Sequence, residues 1–394
     1  MSPSRAAPLA ALALVGAGCG SHVSAKAQLP AGGPPGVVRI ALAHLLWPLD
    51  PARARTRDEI AVARALFATP LRTDPMTGAL RPGLCSSWKP SADRRRWTFR
   101  CRNAQEIAIE LKRTGLAPTA SARGRTLTVS SPRAPYLLTE ARAAPPAVPG
   151  PFRLLRASPT RIVAERGDVR LDFRQVDPTS AARLFRHGKL DEAPVPLGDL
   201  QAVLRDPLLR PAVRVRRLLA VDLVVAEPRG TLARFPRVRS AYDDTADRAD
   251  YQALVPELEA PAAENLVAPA SAKVVRAAVL AAGRAKSRVS KLPQVAVRFA
   301  RPADPDLAYG AGLLVAAWRD IGLGPYFGKG RPDARFERLL AAYPRPDALR
   351  AAAHGQTVIP VSWVVDARLV SPRLRGWQED ELGGVDYTGV RPRG

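Results

Sequence analysis

The chain has 394 residues, 46% of them hydrophobic and 24% charged, with a formal net charge of +24. These values exclude wholesale disorder and leave room for two or three domain-sized units. Fifty-two of the 60 basic residues are arginine, and they are dispersed rather than clustered. The densest groups, Arg94 to Arg96 and Arg214 to Arg217, are short and carry no zinc-finger spacing, RNA-binding aromatic motif or Gly/Arg repeat. The charge therefore reads as a solvated surface under compositional bias, with an anionic partner as the competing reading, and no nucleic-acid ligand is expected.

Residues 1–19 read as an export signal: Arg5, then the mostly apolar run Ala6 to Ala17. That run is too short to cross a bilayer, which takes about 20 residues. It ends in Gly16-Ala17-Gly18-Cys19, which resembles a lipobox with Gly16 in place of the usual leucine. Cys19 is the expected lipidation site; a plain secretory signal with an incidental cysteine is the alternative. Residues 20–36, rich in Ala, Gly, Ser and Pro, suit a flexible linker. No later apolar run is long enough to span a membrane.

The mature chain then takes its elements in order. Val37 to Ala43 is a strand. Thr56-Arg57-Asp58-Glu59 is a capping box opening a helix with Ile60, Ala63 and Phe67 on one face. Ser86 to Lys89 and Trp97 to Cys101 form a hairpin. A turn centred on Asp93 sets Cys85 opposite Cys101, which in an oxidising compartment predicts a disulfide, two free buried thiols being the alternative. Thr126 to Ser130 is a short strand. Phe152 to Leu155, Arg161 to Glu165 and Val169 to Phe173 are strands, the last two joined by a turn at Gly167-Asp168. Ser180 to Arg186 is helical and Val213 to Val225 strand-rich. Val238 to Val255 reads as helix, turn and helix, and Ser271 to Lys286 as a helix capped by Ser271. Val295 to Phe299 is a strand. Asp306 to Ile321 is the clearest helix, with Asp306 as cap, Leu307, Ala311, Leu314, Val315 and Trp318 as apolar stripe, and Gly322 as stop. Thr357 to Val365 is a buried strand before an irregular tail. Strands and helices mixed without strict repetition suggest α/β lobes with mixed sheets.

Catalytic signals are missing. His22, His44, His187 and His354 lack ligand spacing, so no metal site is expected. There is no G-x-S-x-G, P-loop or dinucleotide fingerprint. Asp243, Asp244 and Asp247 read as a solvated helix terminus rather than an acid–base or calcium cluster. No cofactor is expected, and the chain does not read as an enzyme.

Several segments, in order, resemble one family. Val38 to Leu42 followed by Pro48-Leu49-Asp50-Pro51 resembles its first strand and "L-D-P" loop. Leu80 to Leu84 through Ser87-Trp88, then Trp97-Thr98-Phe99-Arg100, resembles its "P-x-L-A-x-S-W … Y-T-F-x-L-R" hairpin. Gly150 to Leu154 with Ile162 to Arg166 is similar to "G-P-Y-x-L … I-x-L-x-R". Val238 to Ala241 with Asp247-Arg248 and Leu254-Val255 resembles its "V-R-x-A … D-R-x-x-L-V" helix pair. Trp318 to Gly322 resembles "W-x-x-I-G", and Ile359-Pro360-Val361 with Gly376-Trp377 the closing strand and loop. The family is the extracellular solute-binding proteins of family 5, the oligopeptide-, dipeptide- and nickel-binding receptors of ABC importers, of which this chain resembles a shortened, divergent member.

The resemblance implies a two-lobed α/β fold of the type II periplasmic-binding-protein kind, with mixed sheets and a central cleft. It implies lobe I at 37–225 plus 359–394 and lobe II at 226–358, with crossings near Ala220 to Glu227 and Val358 to Trp363. The implied function is capture of a peptide-like or other small solute for a membrane permease, by a monomer held at the outer face of the membrane or in the periplasm. The alternative is a degenerate receptor serving as a structural or signalling lipoprotein. Candidate cleft residues are His44 and Trp47 after the first strand, Tyr343, and Trp363 beside the second crossing; core packing is the competing reading for both tryptophans. The family's "D-G-x-P-x-T-A-x-D-V" segment is missing after Cys101. Its "A-D-Y-P-D-P" motif is Ala341-Ala342-Tyr343-Pro344-Arg345-Pro346 here, with Ala342 where the acid that pairs with a peptide's amino terminus stands. Losing that charge-assisted bond points to a neutral or anionic ligand, or to none.

Overall fold

The computed structural model describes residues 33–74, 77–248, 295–341, 349, 353, 355–380 and 382–393. The linker before residue 33, Cys19, the helix expected at Ser271 to Lys286, and Tyr343 lie outside the described residues.

The strands are β1 (Val37–Leu42), β2 (Leu71–Thr73), β3 (Leu80–Pro82), β4 (Cys85–Pro90), β5 (Trp97–Cys101), β6 (Ser121–Arg123), β7 (Thr126–Val129), β8 (Arg153–Ser158) and β9 (Arg161–Arg166). They continue as β10 (Val169–Gln175), β11 (Glu192–Pro194), β12 (Val213–Ala226), β13 (Ala296–Ala300), β14 (Gly324–Phe327), β15 (Ala334–Leu340), β16 (Thr357–Val370), β17 (Leu374–Arg375) and β18 (Arg391–Pro392). Ten of them form one mixed sheet in the order β14-β13-β15-β12-β16-β11-β1-β10-β9-β8.

Period-two burial explains the first lobe. Val38, Ile40 and Leu42 of β1 join Val169, Leu171 and Phe173 of its parallel neighbour β10 in one core, while Ala41 packs on the opposite face. The helix Arg57–Leu66 covers the first face with Ala61, Val62, Ala65 and Leu66. Its start is the capping box itself: Thr56 Oγ1 accepts from Glu59 N at 3.2 Å and Glu59 Oε2 from Thr56 N at 2.9 Å. A separate four-stranded sheet, β4-β5-β7-β6, packs Phe99, Leu127 and Val129 against Ile107, Ala108 and Leu111 of the helix Ala104–Arg113. Cys85 and Cys101 are directly paired across β4 and β5 and joined by a disulfide.

The second lobe is built on the helix Pro305–Asp320. Leu307, Ala311, Leu314, Val315 and Trp318 are buried against Val297, Phe299 and Phe336. Trp318 lies 4.9 Å from the Tyr242 ring and 5.7 Å from that of Phe299, and its indole N–H donates to the Tyr242 carbonyl at 3.2 Å. Such ring pairs add about 1 kcal/mol each beyond their buried area. The cap is Asp304, whose side chain accepts from Leu307 N at 2.9 Å, and not the expected Asp306. Pro305 explains the difference: proline suits the first helical position, which makes the residue before it the cap. Gly322, at φ 92°, ends the helix region in the left-handed conformation.

The lobes share β12 and β16. These antiparallel strands pair from Val213↔Leu369 to Ala226↔Thr357, with register shifts between Arg217 and Val221 and between Asp222 and Leu223. Each feeds both cores: Val224, Ala226, Ile359 and Val361 pack in the second lobe, Ala367, Leu369 and the partly buried Val213 in the first. Irregularities of this kind bend and twist a strand, so they fall where two lobes must meet at an angle. Among the described residues, no helix is long and apolar enough to cross a membrane.

Candidate functional site

A cavity of about 320 Å³ lies between the lobes. One wall is the helix Arg57–Leu66 and its lead-in (Ala54, Arg55, Ile60, Arg64) with the turn Glu140–Arg142. The other is the end of β15, Glu337 to Ala341, and Leu382 of the tail closes it.

The wall is crowded with charge. Arg338 grips Asp222 of β12 through two bonds of 2.8 and 3.0 Å. Arg64 pairs with Asp380 at 2.5 Å. Arg142 Nε donates to Glu140 Oε2 at 3.0 Å. The Arg55 guanidinium has no carboxylate partner among the described residues; one of its nitrogens donates to the carbonyls of Ala52 (2.8 Å) and Ala54 (3.1 Å). Glu140 is 7% exposed, and its Oε1 is buried with no hydrogen-bond partner among the described residues. Burial pushes the Glu140 carboxyl up, against the pull of Arg142, Arg55 and Arg64. An acceptor left bare in this way costs about 1–3 kcal/mol unless something donates to it. The cavity wall thus holds the Glu140 carboxylate, whose Oε1 is buried within it, and the Arg55 guanidinium, which has no carboxylate partner among the described residues, a wall suited to a small polar solute.

Behind the cavity, a buried ionic cluster fixes the helix against the shared strand β16. Arg368 of β16 meets Glu192 of β11, Asp366 at 3.2 Å, Glu379 at 3.5 Å and Asp58 at 3.6 Å. Arg57 bridges Asp366 and Asp58. Trp377 Nε1 and the Tyr387 hydroxyl donate to Glu192 Oε2 at 2.8 and 3.1 Å. Asp58 Oδ2 accepts from Ala43 N at 2.7 Å, tying in the loop after β1.

Of the candidate cleft residues, none that is described lines the cavity. His44 is exposed, its backbone N 3.4 Å from Asp58 Oδ2. Trp47 is 47% exposed, so it is not a core residue. Trp363 is 3% exposed, in a cluster with Val221, Leu223, Val225 and Leu382, and its indole N–H has no partner among the described residues. Sequence reasoning missed Arg55, Arg64, Glu140 and Arg142. The capping box marks where Arg55 sits, but nothing local distinguishes Glu140 from a surface acid. Among the described residues no group of three or more His, Cys, Asp or Glu could hold a metal.

Solved structures match this architecture over most of its length. The Escherichia coli murein tripeptide binding protein MppA superposes with a TM-score of 0.75 at 15% identity, covering 91% of this chain and 99% of that one. Haemophilus influenzae OppA in complex with the peptide RPPGFSPFR gives 0.74 at 14% identity, over 92% and 100%. Burkholderia pseudomallei OppA gives 0.73 at 13%, over 92% and 100%. The chain has the two-lobed fold of the oligopeptide-binding proteins. MppA in its unliganded open form matches less well, at 0.60, so the lobes here are arranged less like that open form. No family model matches the sequence, and no curated protein is significantly similar to it.

Proposed function

We propose that this chain is the solute-capturing lipoprotein of an ABC importer, a divergent family 5 binding protein and not an enzyme. The observation that carries the reading is a charged cavity lined from both lobes, in a fold whose solved examples are tripeptide- and peptide-binding proteins. At about 320 Å³ the cavity lies at the small end of ligand sites, so the solute is short: a di- or tripeptide, or a metabolite of that size.

In this reading lobe I comprises 37–225 plus 359–394 and lobe II 226–358, although Val224 and Val361, just on the first-lobe side of those limits, pack in the second core. Solute contacts both lobes and favours the closed arrangement, with the irregular stretch of β12 from Arg217 to Leu223 absorbing the rotation. Lipidation of Cys19 and the linker at 20–36 hold a monomer at the outer membrane face, near its permease. One acyl chain binds only marginally, so firm anchoring calls for a multiply acylated cysteine.

Native mass spectrometry of the chain starting after Cys19, mixed with short peptides and small metabolites, tests the reading. A one-to-one adduct with one chemical class is expected. Absence of any adduct across the panel, from a folded sample, would turn the assignment towards a degenerate receptor.

A further inference from the structure

A second cavity, of about 290 Å³, is lined only by first-lobe and tail residues. It opens between the end of the helix Arg57–Leu66, the segment before β4, the loop Pro149–Phe152 and the tail loop Gly384–Thr388. Nothing from β13, β14 or β15 lines it, so lobe closure does not create it.

Its frame is set by backbone contact. Phe67 and Pro149 form an antiparallel bridge, and Gly150 N donates to Leu66 O at 2.7 Å. A Cβ on Gly150 would lie 2.6 Å from Phe67 N, and one on Gly83 would lie 2.3 Å from Thr69 O. Both approaches need glycine, which makes the cavity a preformed feature of the fold.

The lining divides into two chemistries. Leu84, Phe152, Val385 and Tyr387 are buried and make an apolar wall. Arg72 and Arg102 are exposed at the cavity. Neither has a carboxylate partner among the described residues; Arg72 Nε donates to Pro82 O at 3.3 Å. Arg64 is paired with Asp380 at 2.5 Å, while the exposed Asp386 accepts from Thr388 N at 2.9 Å and from its Oγ1 at 2.6 Å.

We propose that this cavity is a second ligand site, separate from the interlobe cleft, for a small organic anion. The apolar body lies against Phe152 and Val385, and a carboxylate or phosphate meets Arg72 and Arg102. Guanidinium groups suit both anions through paired N–H bonds. Two of them without a carboxylate partner beside a buried apolar wall favour an amphiphilic anion over a sugar or a free cation.

The test is calorimetric titration of the full chain with 3-phenylpropionate, phenyl phosphate and, as neutral twin, 3-phenylpropionamide. The same titrations are run on the Arg72→Ala/Arg102→Ala variant, whose exposed positions leave the core untouched, and on Glu140→Gln in the cleft. At least one of the two anions is expected to bind about tenfold more tightly than the amide, the charge-assisted share of the contact. The double arginine variant is expected to erase that difference and Glu140→Gln to leave it intact. Equal affinity for acid and amide, discrimination that survives the double variant, loss of binding in Glu140→Gln, or no binding of any probe would each overturn the proposal.

Discussion

Arg368 in β16 ion-pairs with Glu192 in β11, 176 residues earlier, with side chains 1% and 0% exposed. Burial alone would lower the Arg368 pKa, but Glu192, Asp366 and Glu379 hold it well above the ordinary value. Removing one member of a buried pair strands the other charge, which costs about 3–5 kcal/mol. Arg368→Met is therefore expected to lose at least that much in urea unfolding. A loss below about 1 kcal/mol would mean that the cluster is hydrated in solution.

Glu379 gives the cluster a pH dependence. Burial and the Asp366 carboxylate raise its pKa well above the ordinary 4.5, with Arg368 and Arg57 opposing. The folded state thus holds the proton more tightly than the unfolded chain. That contribution is complete below the unfolded pKa and is lost as pH rises towards the folded one. Asp366 works the other way: burial opposes, but Arg57 and Arg368 hold its pKa far below the ordinary 3.8. Its contribution is present above that value and lost as pH falls. Glu379→Gln keeps the shape and removes only the first term. Its stability relative to the parent is expected to improve between pH 5 and pH 8, read by urea unfolding at both. A flat difference would contradict a proton held at Glu379.

The Cys85–Cys101 disulfide spans 16 positions and closes the small sheet. A loop of that size predicts about 3 kcal/mol from restriction of the unfolded chain. The Cys85→Ser/Cys101→Ser variant, or the reduced parent, is expected to unfold at correspondingly lower urea. An unchanged midpoint would show that the packing of Phe99 and Leu127 carries the unit alone.

Glu140 sets the charge preference of the cleft in our reading. Its carboxylate in the cavity wall favours a cationic donor, and burial raises its pKa, so it takes up a proton more readily than an ordinary glutamate. For a solute carrying an ammonium group, Glu140→Gln is expected to weaken binding about tenfold, and affinity should fall as pH drops through the glutamate's titration. A solute without an ammonium group should bind the variant and the parent alike. Calorimetry at two pH values separates these outcomes.

Local chemistry made much of the fold legible. The capping box at Thr56, the stripe from Leu307 to Trp318 and the alternating strands around Gly167 each state their structure within a few residues. The helix Ala104–Arg113 carries a readable stripe too, Ala104, Ile107, Ala108 and Leu111, that sequence reading passed over. β15 was harder: Arg335, Glu337 and Arg338 hide the alternation of Ala334–Leu340, which sequence reading leaves unassigned, and Asp222 of β12 is what takes Arg338. The cleft shows the same limit. Arg55, Glu140 and Glu337 come together only through the tertiary arrangement, and a buried, unpartnered oxygen leaves no mark on the sequence around it.

The central claim is solute capture between the lobes, and thermal unfolding of the soluble chain against peptides, nickel chelates, sugars and anionic metabolites tests it most directly. A ligand of the native state must raise the midpoint in proportion to the logarithm of its concentration above Kd. The account predicts such a rise with one class of short solute, reduced by substitution at Arg55 and, where the solute carries an ammonium group, at Glu140. A cooperatively folding protein whose midpoint moves with none of them, or moves with an ammonium-bearing solute equally in the parent and in both variants, would contradict it.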